Sequence, residues 1–470
     1  MTCEIRGSCR WVGICFIAGR SASSRRAVPR LPHYGLPEPL AGDTSCSRRT
    51  GVERKAPSRI AGLREKGGFA DMENAATVCI GVVAPLTGRL APLGEPLSFV
   101  LRKLAPHLTG FRNGGRPFRV RVAVRDSRSE AQAARQAVRE LAQDEQAAMV
   151  LTMAGTQVLP AVTDTCEQLG VPCVSTTFPW QAYGYARCGD AFGSFRWTYH
   201  FAWGLDDIAN AFADVWEQLP AQPTVGSLWN DGLQGRLLRD EHIGFVAAAS
   251  QRGHHVIDPG AYAEPATDFT PHLNRMRKDG VDVVTSAATA TDLALFHRQA
   301  RASGLRTRLI TCSRWLTYPH TEVAQSRQVH DELADTRVAT LVYWSPAHPH
   351  RSSLDGTSCA QLADAYEQTT GKPWLQPLGL AHALVEVAHH TLTTASDPTD
   401  RAAIARTLQQ TRIETIVGTL DFTAGPTPNI ALIPLAGGQW HPTAHGPRLA
   451  VVANSRTPHV PVTADLVPAY

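Results

Sequence analysis

The sequence predicts an α/β protein built as two doubly wound domains. Three observations carry this expectation. Apolar strand-like runs alternate with amphipathic helical segments, the alternation occurs in two successive sets, and 470 residues are too many for one compact core. Apolar residues at 43% and charged residues at 19% describe a soluble globular chain, and no stretch reaches the ~18 uninterrupted apolar residues that a membrane helix needs.

The first set opens with residues 78–83, a continuous apolar run of the kind found in strands buried on both faces. Residues 118–124 alternate strictly, with Phe118, Val120, Val122 and Val124 on one face and Arg119 and Arg121 on the other, as expected of an edge or half-covered strand. A helix is predicted from Ser129, with Gln132 completing a capping box and Ala131, Ala134, Val138, Leu141 and Ala142 at helical spacing. Strand 149–153, a helix from Pro160 stopping at Gly170, and strand 173–175 follow.

In the second set, Leu205, Ile208, Phe212, Val215, Trp216 and Leu219 mark one amphipathic helix. Strand 225–229, helix 236–252, strand 282–286, helix 291–303 and strand 309–312 complete it. Such alternation implies parallel sheets covered by helices, right-handed crossovers, and a ligand crevice at the carboxyl ends of the strands. Residues 338–344 are strand-like, 357–370 and 378–394 are helical, and Asp397-Pro398 reads as a cap followed by a first-turn proline.

Charge is uneven. Residues 1–71 hold 13 Lys and Arg against 6 Asp and Glu, whereas the other 399 residues hold 33 against 36. A near-neutral body offers no electrostatic footprint for nucleic acid. The segment 1–71 reads as a disordered basic tail. Its apolar run from Trp11 to Gly19 gives a weak targeting segment as one reading, and translation from Met72 gives the other. Ten cysteines contain no CxxC pair and no Cys/His ligand spacing, so neither a metal nor a cofactor is expected. Cys79 and Cys312 read as small core residues, and the six body cysteines permit disulfides without implying them.

Catalytic constellations are not found. The body has no P-loop, no GxGxxG after a strand, no HExxH and no GxSxG. His254-His255, His389-His390 and His348-Pro349-His350 read as packed or solvated, and Asp206-Asp207 and Asp240-Glu241 as helix-end carboxylates. An enzyme is not the expectation.

One family resemblance is carried by motifs in order along the chain. Ile80-Gly81-Val82-Val83-Ala84-Pro85-Leu86-Thr87-Gly88, then Leu93-Gly94, resembles the opening strand and ligand loop of type I periplasmic binding proteins. The nearest branch is the leucine/isoleucine/valine-binding substrate-binding proteins of ABC transporters. Arg125-Asp126-Ser127, Ala154-Gly155-Thr156, Gly170 to Ser175, Val225 to Gly235, Gly280 to Ser286 and Val460-Pro461-Val462-Thr463 continue the series. The resemblance covers about 77–470. It implies two Rossmann-like lobes joined by a three-crossing hinge, with crossings near 196–200, 338–346 and 440–450. Lobe 1 would hold 77–196 plus about 345–445, and lobe 2 would hold 197–340 plus about 446–470.

The same resemblance implies a pocket. Lobe 1 would offer Thr87, Gly155, Thr156, Ser175, Thr176, Thr177 and Phe178, whose hydroxyls and amides suit a ligand carboxylate. Lobe 2 would offer Asn230, Gln234, Thr289, Arg314 and Trp315. Around position 315 amino-acid-binding members carry an acid for the ligand's ammonium group, but here the run is Cys312-Ser313-Arg314-Trp315. Phe178, Trp180, Trp229, Trp315, Tyr343 and Trp344 would wall a flat apolar ligand, with Arg314 pairing its carboxylate.

The expected function is therefore capture of an aromatic or apolar carboxylate, amide or amino-acid-like ligand for ABC permease subunits. Such a receptor is itself not transmembrane, and its place is extracytoplasmic, membrane-associated or secreted. A cytoplasmic small-molecule sensor of the same fold, regulating a protein partner, is the alternative if translation starts at Met72.

Overall fold

The computed structural model describes residues 75–188, 195–318, 337–444 and 446–470, so the expectations for 1–71 lie outside the described residues. The chain opens with β1 (Ala76–Ala84), α1 (Ala91–Leu104), β2 (Gly110–Asn113), β3 (Arg116–Asp126), α2 (Ala131–Gln143) and β4 (Met149–Met153). It continues through α3 (Leu159–Leu169), β5 (Cys173–Thr176), α4 (Trp180–Cys188) and β6 (Thr198–Ala202). A second body follows: α5 (Leu205–Trp216), β7 (Val225–Leu228), α6 (Leu233–Arg239), α7 (Phe245–Gln251), β8 (Val256–Ile257) and α8 (Thr270–Lys278). Then come β9 (Val283–Ser286), α9 (Ala290–Ser303), β10 (Leu309–Cys312) and β11 (Val338–Val342). The chain returns to the first body with α10 (Cys359–Thr370), α11 (Pro377–Thr394), α12 (Arg401–Gln409), β12 (Arg412–Thr415), β13 (Gly418–Asp421) and β14 (Ile430–Leu432). Finally β15 (Ala436–His441) and β16 (Arg448–Ala453) rejoin the second.

The first sheet has the order β14-β6-β5-β4-β1-β3-β2, and the second β16-β15-β11-β10-β9-β7-β8. Neighbours are parallel except for β2 against β3, β11 against β15, and β15 against β16. These are two α/β lobes, as the alternation in the sequence requires. Every residue of β4, β5 and β6 is buried, polar ones such as Thr152, Ser175 and His200 included, because helices cover both faces. The alternating run in β3 is half-covered but not at the edge, since β2 folds back against it.

Three connections join the lobes: at 203–204 after β6, after β11 at 343, and at 433–435 between β14 and β15. The third falls before the expected 440–450, which runs from the end of β15 to the start of β16 within the second sheet. Gly437 and Gly438 sit in β15, where close neighbours leave no room for a side chain. A Cβ at either would lie 2.4 Å from Val215 or Val342 respectively.

Three local expectations change. Helix 236–252 is two helices, broken where Gly244 takes φ +75° and Asp240 Oδ1 accepts from the amides of His242 and Ile243 at 2.8 and 3.1 Å. Ser129 does not cap α2. Its hydroxyl instead donates to Thr87 O at 2.6 Å and accepts from Leu90 N at 3.0 Å. Asp400, not Asp397, caps α12 by accepting from Ala402 N and Ala403 N.

Candidate functional site

The carboxyl ends of β1, β4, β5 and β10 open onto one cleft between the lobes, with about 820 Å³ of empty space. This is the crevice position that open parallel sheets offer. Segments 89–93, 154–156 and 177–179 supply the lobe 1 wall, Gln234 and 313–317 the lobe 2 wall, and Trp203 with Ile208 the part beside the first crossing. Leu90, Pro92, Leu93, Phe178, Pro179, Ile208 and Leu316 give the wall its apolar half, and Arg89, Thr156, Thr177, Gln234, Ser313, Arg314 and Thr317 give it a nearly equal polar half.

On the lobe 1 side, the loop after β1 is held by long-range hydrogen bonds. Asp126, at the end of β3, accepts from Leu86 N at 2.9 Å, Thr87 N at 3.3 Å and Thr87 Oγ1 at 2.6 Å. Burial opposes its charge, but these donors and the Arg128 amide hold its carboxyl below the usual range. Thr87 is therefore a loop anchor rather than a wall residue. Gly155, Thr156, Thr177 and Phe178 do line the cleft. Ser175 and Thr176 do not, because both are buried in β5 with occupied hydroxyls: Thr176 Oγ1 donates to Phe201 O at 2.7 Å, and Ser175 Oγ lies 3.0 Å from His200 Nδ1. His200 Nε2 lies 2.9 Å from Phe178 O, and burial lowers the imidazole pKa to about 4 against that bond. The ring is thus neutral and props the Phe178 loop. Thr177 has φ +118°, a strained backbone for a β-branched residue, directly at the cleft wall.

On the lobe 2 side, Gln234 and Arg314 line the cleft. Asn230 stands behind them, donating to Glu264 Oε2 at 2.8 Å and accepting from Gly232 N at 3.1 Å. Arg314 grips the same carboxylate through Nη1 at 2.5 Å and Nη2 at 3.3 Å, with Ala287 O at 3.2 Å. Burial works against the Arg314 charge, and Glu264 outweighs it, leaving the guanidinium above its ordinary pKa. Burial likewise opposes the Glu264 charge, while Arg314, Asn230 and Arg89 hold its carboxyl low. Thr289 caps α9, accepting from Asp292 N at 3.1 Å, and does not reach the cleft wall.

The aromatic wall is mostly core. Trp315 is buried and stacks on Tyr318, with centroids 4.0 Å apart. Trp229 and Trp344 are buried against Phe245 and Trp374, and Trp180 sits half-buried beside the wall, its amide donating to Trp203 O at 2.9 Å. Tyr343 lies behind Trp203, which is the tryptophan that reaches the cleft. Sequence reasoning missed Trp203, although it directly follows the buried strand β6 at a crossing.

Arg89 was also missed. It sits exposed at the lobe 1 rim, where its Nη2 donates to Gln157 Oε1 at 3.2 Å. Partial burial and the like charge of Arg314 lower its pKa, with Glu264 opposing. Thr177 Oγ1, Trp203 Nε1 and Ser313 Oγ have no hydrogen-bond partner, on residues 5%, 1% and 7% exposed. No cluster of His, Cys, Asp and Glu suited to a metal occurs among the described residues.

A family model described as periplasmic binding protein matches residues 77–431. No curated protein matches the chain. Among solved structures, the chain is similar to the leucine-binding protein LivK of Thermotoga maritima at 16% identity, covering 80% of this chain and 99% of that one, with a TM-score of 0.60. It is similar to an ABC transporter solute-binding protein of Rhodopseudomonas palustris in complex with 4-hydroxybenzoate at 14% identity, covering 80% and 96%, with a TM-score of 0.62. It is also similar to the branched-chain amino acid transporter substrate-binding protein LivJ of Streptococcus pneumoniae in complex with isoleucine at 14% identity, covering 83% and 99%, with a TM-score of 0.57. The fold is the one these proteins share.

Proposed function

The chain belongs to the periplasmic binding protein family, and from that premise we propose that it is an extracytoplasmic receptor delivering a small organic ligand to an ABC permease. The observation that carries this reading is the set of unpartnered polar atoms around the cleft. Thr177 comes from lobe 1, Ser313 from lobe 2 and Trp203 from the first crossing. A buried polar atom left without a partner costs about 1–3 kcal/mol, and a ligand that pairs all three recovers that cost only when both lobes surround it. A ligand touching both lobes stabilises the closed arrangement by its differential affinity.

The apolar part of the wall favours an apolar or aromatic body, and its polar part favours a carboxylate, amide or amino-acid-like head. The relatives above were solved with an aromatic acid and with an amino acid, so both classes belong in a first screen. Nothing in the relatives named above favours the regulatory alternative. No helix among the described residues is long and apolar enough to cross a membrane, so a permease would supply the membrane path.

Calorimetric titration of the purified chain with aromatic carboxylates, their amides and apolar amino acids tests the reading. Stoichiometric binding with the ligand recovered unchanged is the expected result. Turnover of a bound compound would replace the receptor with an enzyme.

A further inference from the structure

We propose that Arg89 makes the cleft selective for a singly anionic ligand, whose carboxylate supplies the negative charge lacking between Arg89 and the Arg314–Glu264 pair. This rests on the reading of the cleft as a solute-binding site and narrows the ligand within it.

Charge on the wall is the starting point. Among the described residues lining the cleft, Arg89 and Arg314 are the ionisable ones, and none is an acid. They stand on different lobes: Arg89 follows β1, and Arg314 follows β10. Arg314 is neutralised locally by the two-pronged Glu264 contact. Arg89 donates to the neutral Gln157 oxygen and feels Glu264 as a more distant charge, not as an ion-pair partner. Arg89 thus brings to the cleft mouth a positive charge with no ion-pair partner of its own, and the two guanidiniums repel each other.

A carboxylate between them reverses that repulsion, since each guanidinium then meets an opposite charge on the same ligand. A neutral amide pairs with the hydroxyls but leaves the charge uncompensated. A zwitterionic amino acid adds an ammonium group, which needs an acid, and the nearest one, Glu264, is already held by Arg314 and Asn230. The order of preference is thus monoanion, then amide, then zwitterion.

The sequence alone placed this selectivity on Arg314. The Glu264 contact moves it to Arg89, because Arg314 and Glu264 together present little net charge to the ligand, whereas Arg89 has no ion-pair partner of its own. Anion steering into the cleft should also depend on Arg89 and weaken with salt.

The test is calorimetry on the full chain with benzoate, benzamide and L-leucine, comparing wild type with Arg89→Gln and Arg89→Lys. Benzoate should bind at least about tenfold more tightly than benzamide, a difference worth one favourable charge contact. Arg89→Gln should collapse that ratio, and Arg89→Lys should keep most of it. A merely structural role would lower both affinities together and leave the ratio alone. Benzoate binding with an unchanged ratio in Arg89→Gln overturns the charge assignment and leaves the receptor reading standing. Binding of L-leucine in preference to benzoate does the same. Binding of none of the three counts against both.

Discussion

Trp203 and Tyr343 stack with ring centroids 4.6 Å apart and planes 14° apart, one on the first connection between the lobes and one on the second. Trp203 faces the cleft and Tyr343 stands behind it, so the cleft wall and the hinge share one packed contact. The Tyr343 hydroxyl is buried with no hydrogen-bond partner. Tyr343→Phe should therefore leave thermal stability unchanged or raised, while Tyr343→Ala should cost about 3–5 kcal/mol and weaken ligand binding. Thermal melts of the two variants check this, and a loss in Tyr343→Phe comparable to that in Tyr343→Ala would contradict it.

Trp315 belongs to the lobe 2 core beside Tyr318 and does not line the cleft. Trp315→Ala should destabilise the chain by about 3–5 kcal/mol in denaturant unfolding. Any loss of affinity should be regained when stability is restored by lower temperature. Loss of affinity with full stability would put the indole back in the cleft.

Glu264 neutralises Arg314 from behind the wall. Glu264→Gln keeps hydrogen-bonding atoms near Asn230 but adds a second uncompensated positive charge. Affinity for an anionic ligand such as benzoate should rise several-fold, with a steeper dependence on salt. An unchanged affinity measured by calorimetry at low ionic strength would count against charge control of this cleft.

Acid should loosen the fold through two buried imidazoles. Burial lowers His200 to about 4, and burial with the neighbouring His350 and His459 lowers His348 to about 3, against an ordinary 6.5. The unfolded chain binds these protons at higher pH than the folded one does. Their contribution is thus fully present above about pH 6.5 and is lost as pH falls towards about 4 and below. Each group adds a slope of up to about 1.4 kcal/mol per pH unit in that window. Urea midpoints measured from pH 7 to pH 4 should show the decline, and His348→Gln should flatten it by about one proton. An identical slope in the variant would remove His348 from the account.

Much of the fold was legible because it depends on local pattern. The continuous apolar run 78–83 became β1 inside the first sheet, and Gly170 ended α3 where its position suggested. What failed depended on partners far along the chain. Ser129 reads as a helix cap until Thr87 and Leu90 are seen to take its hydroxyl, and Arg314 reads as a free cation until Glu264, fifty positions earlier, is seen to hold it. Thr156, Thr177, Phe178 and Gln234 were placed by matched position and do face the cleft. Trp229, Trp315 and Trp344 were not distinguishable from wall residues, because an aromatic side chain at a strand end suits a core equally well. Arg89 carried no local signal, since only the folding of its loop brings it opposite Arg314.

Calorimetric titration of wild type and Thr177→Val with the same panel of carboxylates, amides and amino acids tests the central claim most directly. The substitution removes one unpartnered hydroxyl from the cleft while keeping the side chain's branched shape. One ligand per chain is expected, with affinity reduced about tenfold in the variant and no fall in its melting temperature. Binding at the same affinity in both proteins, or at a stoichiometry other than one, would show that the ligand does not sit between these lobes.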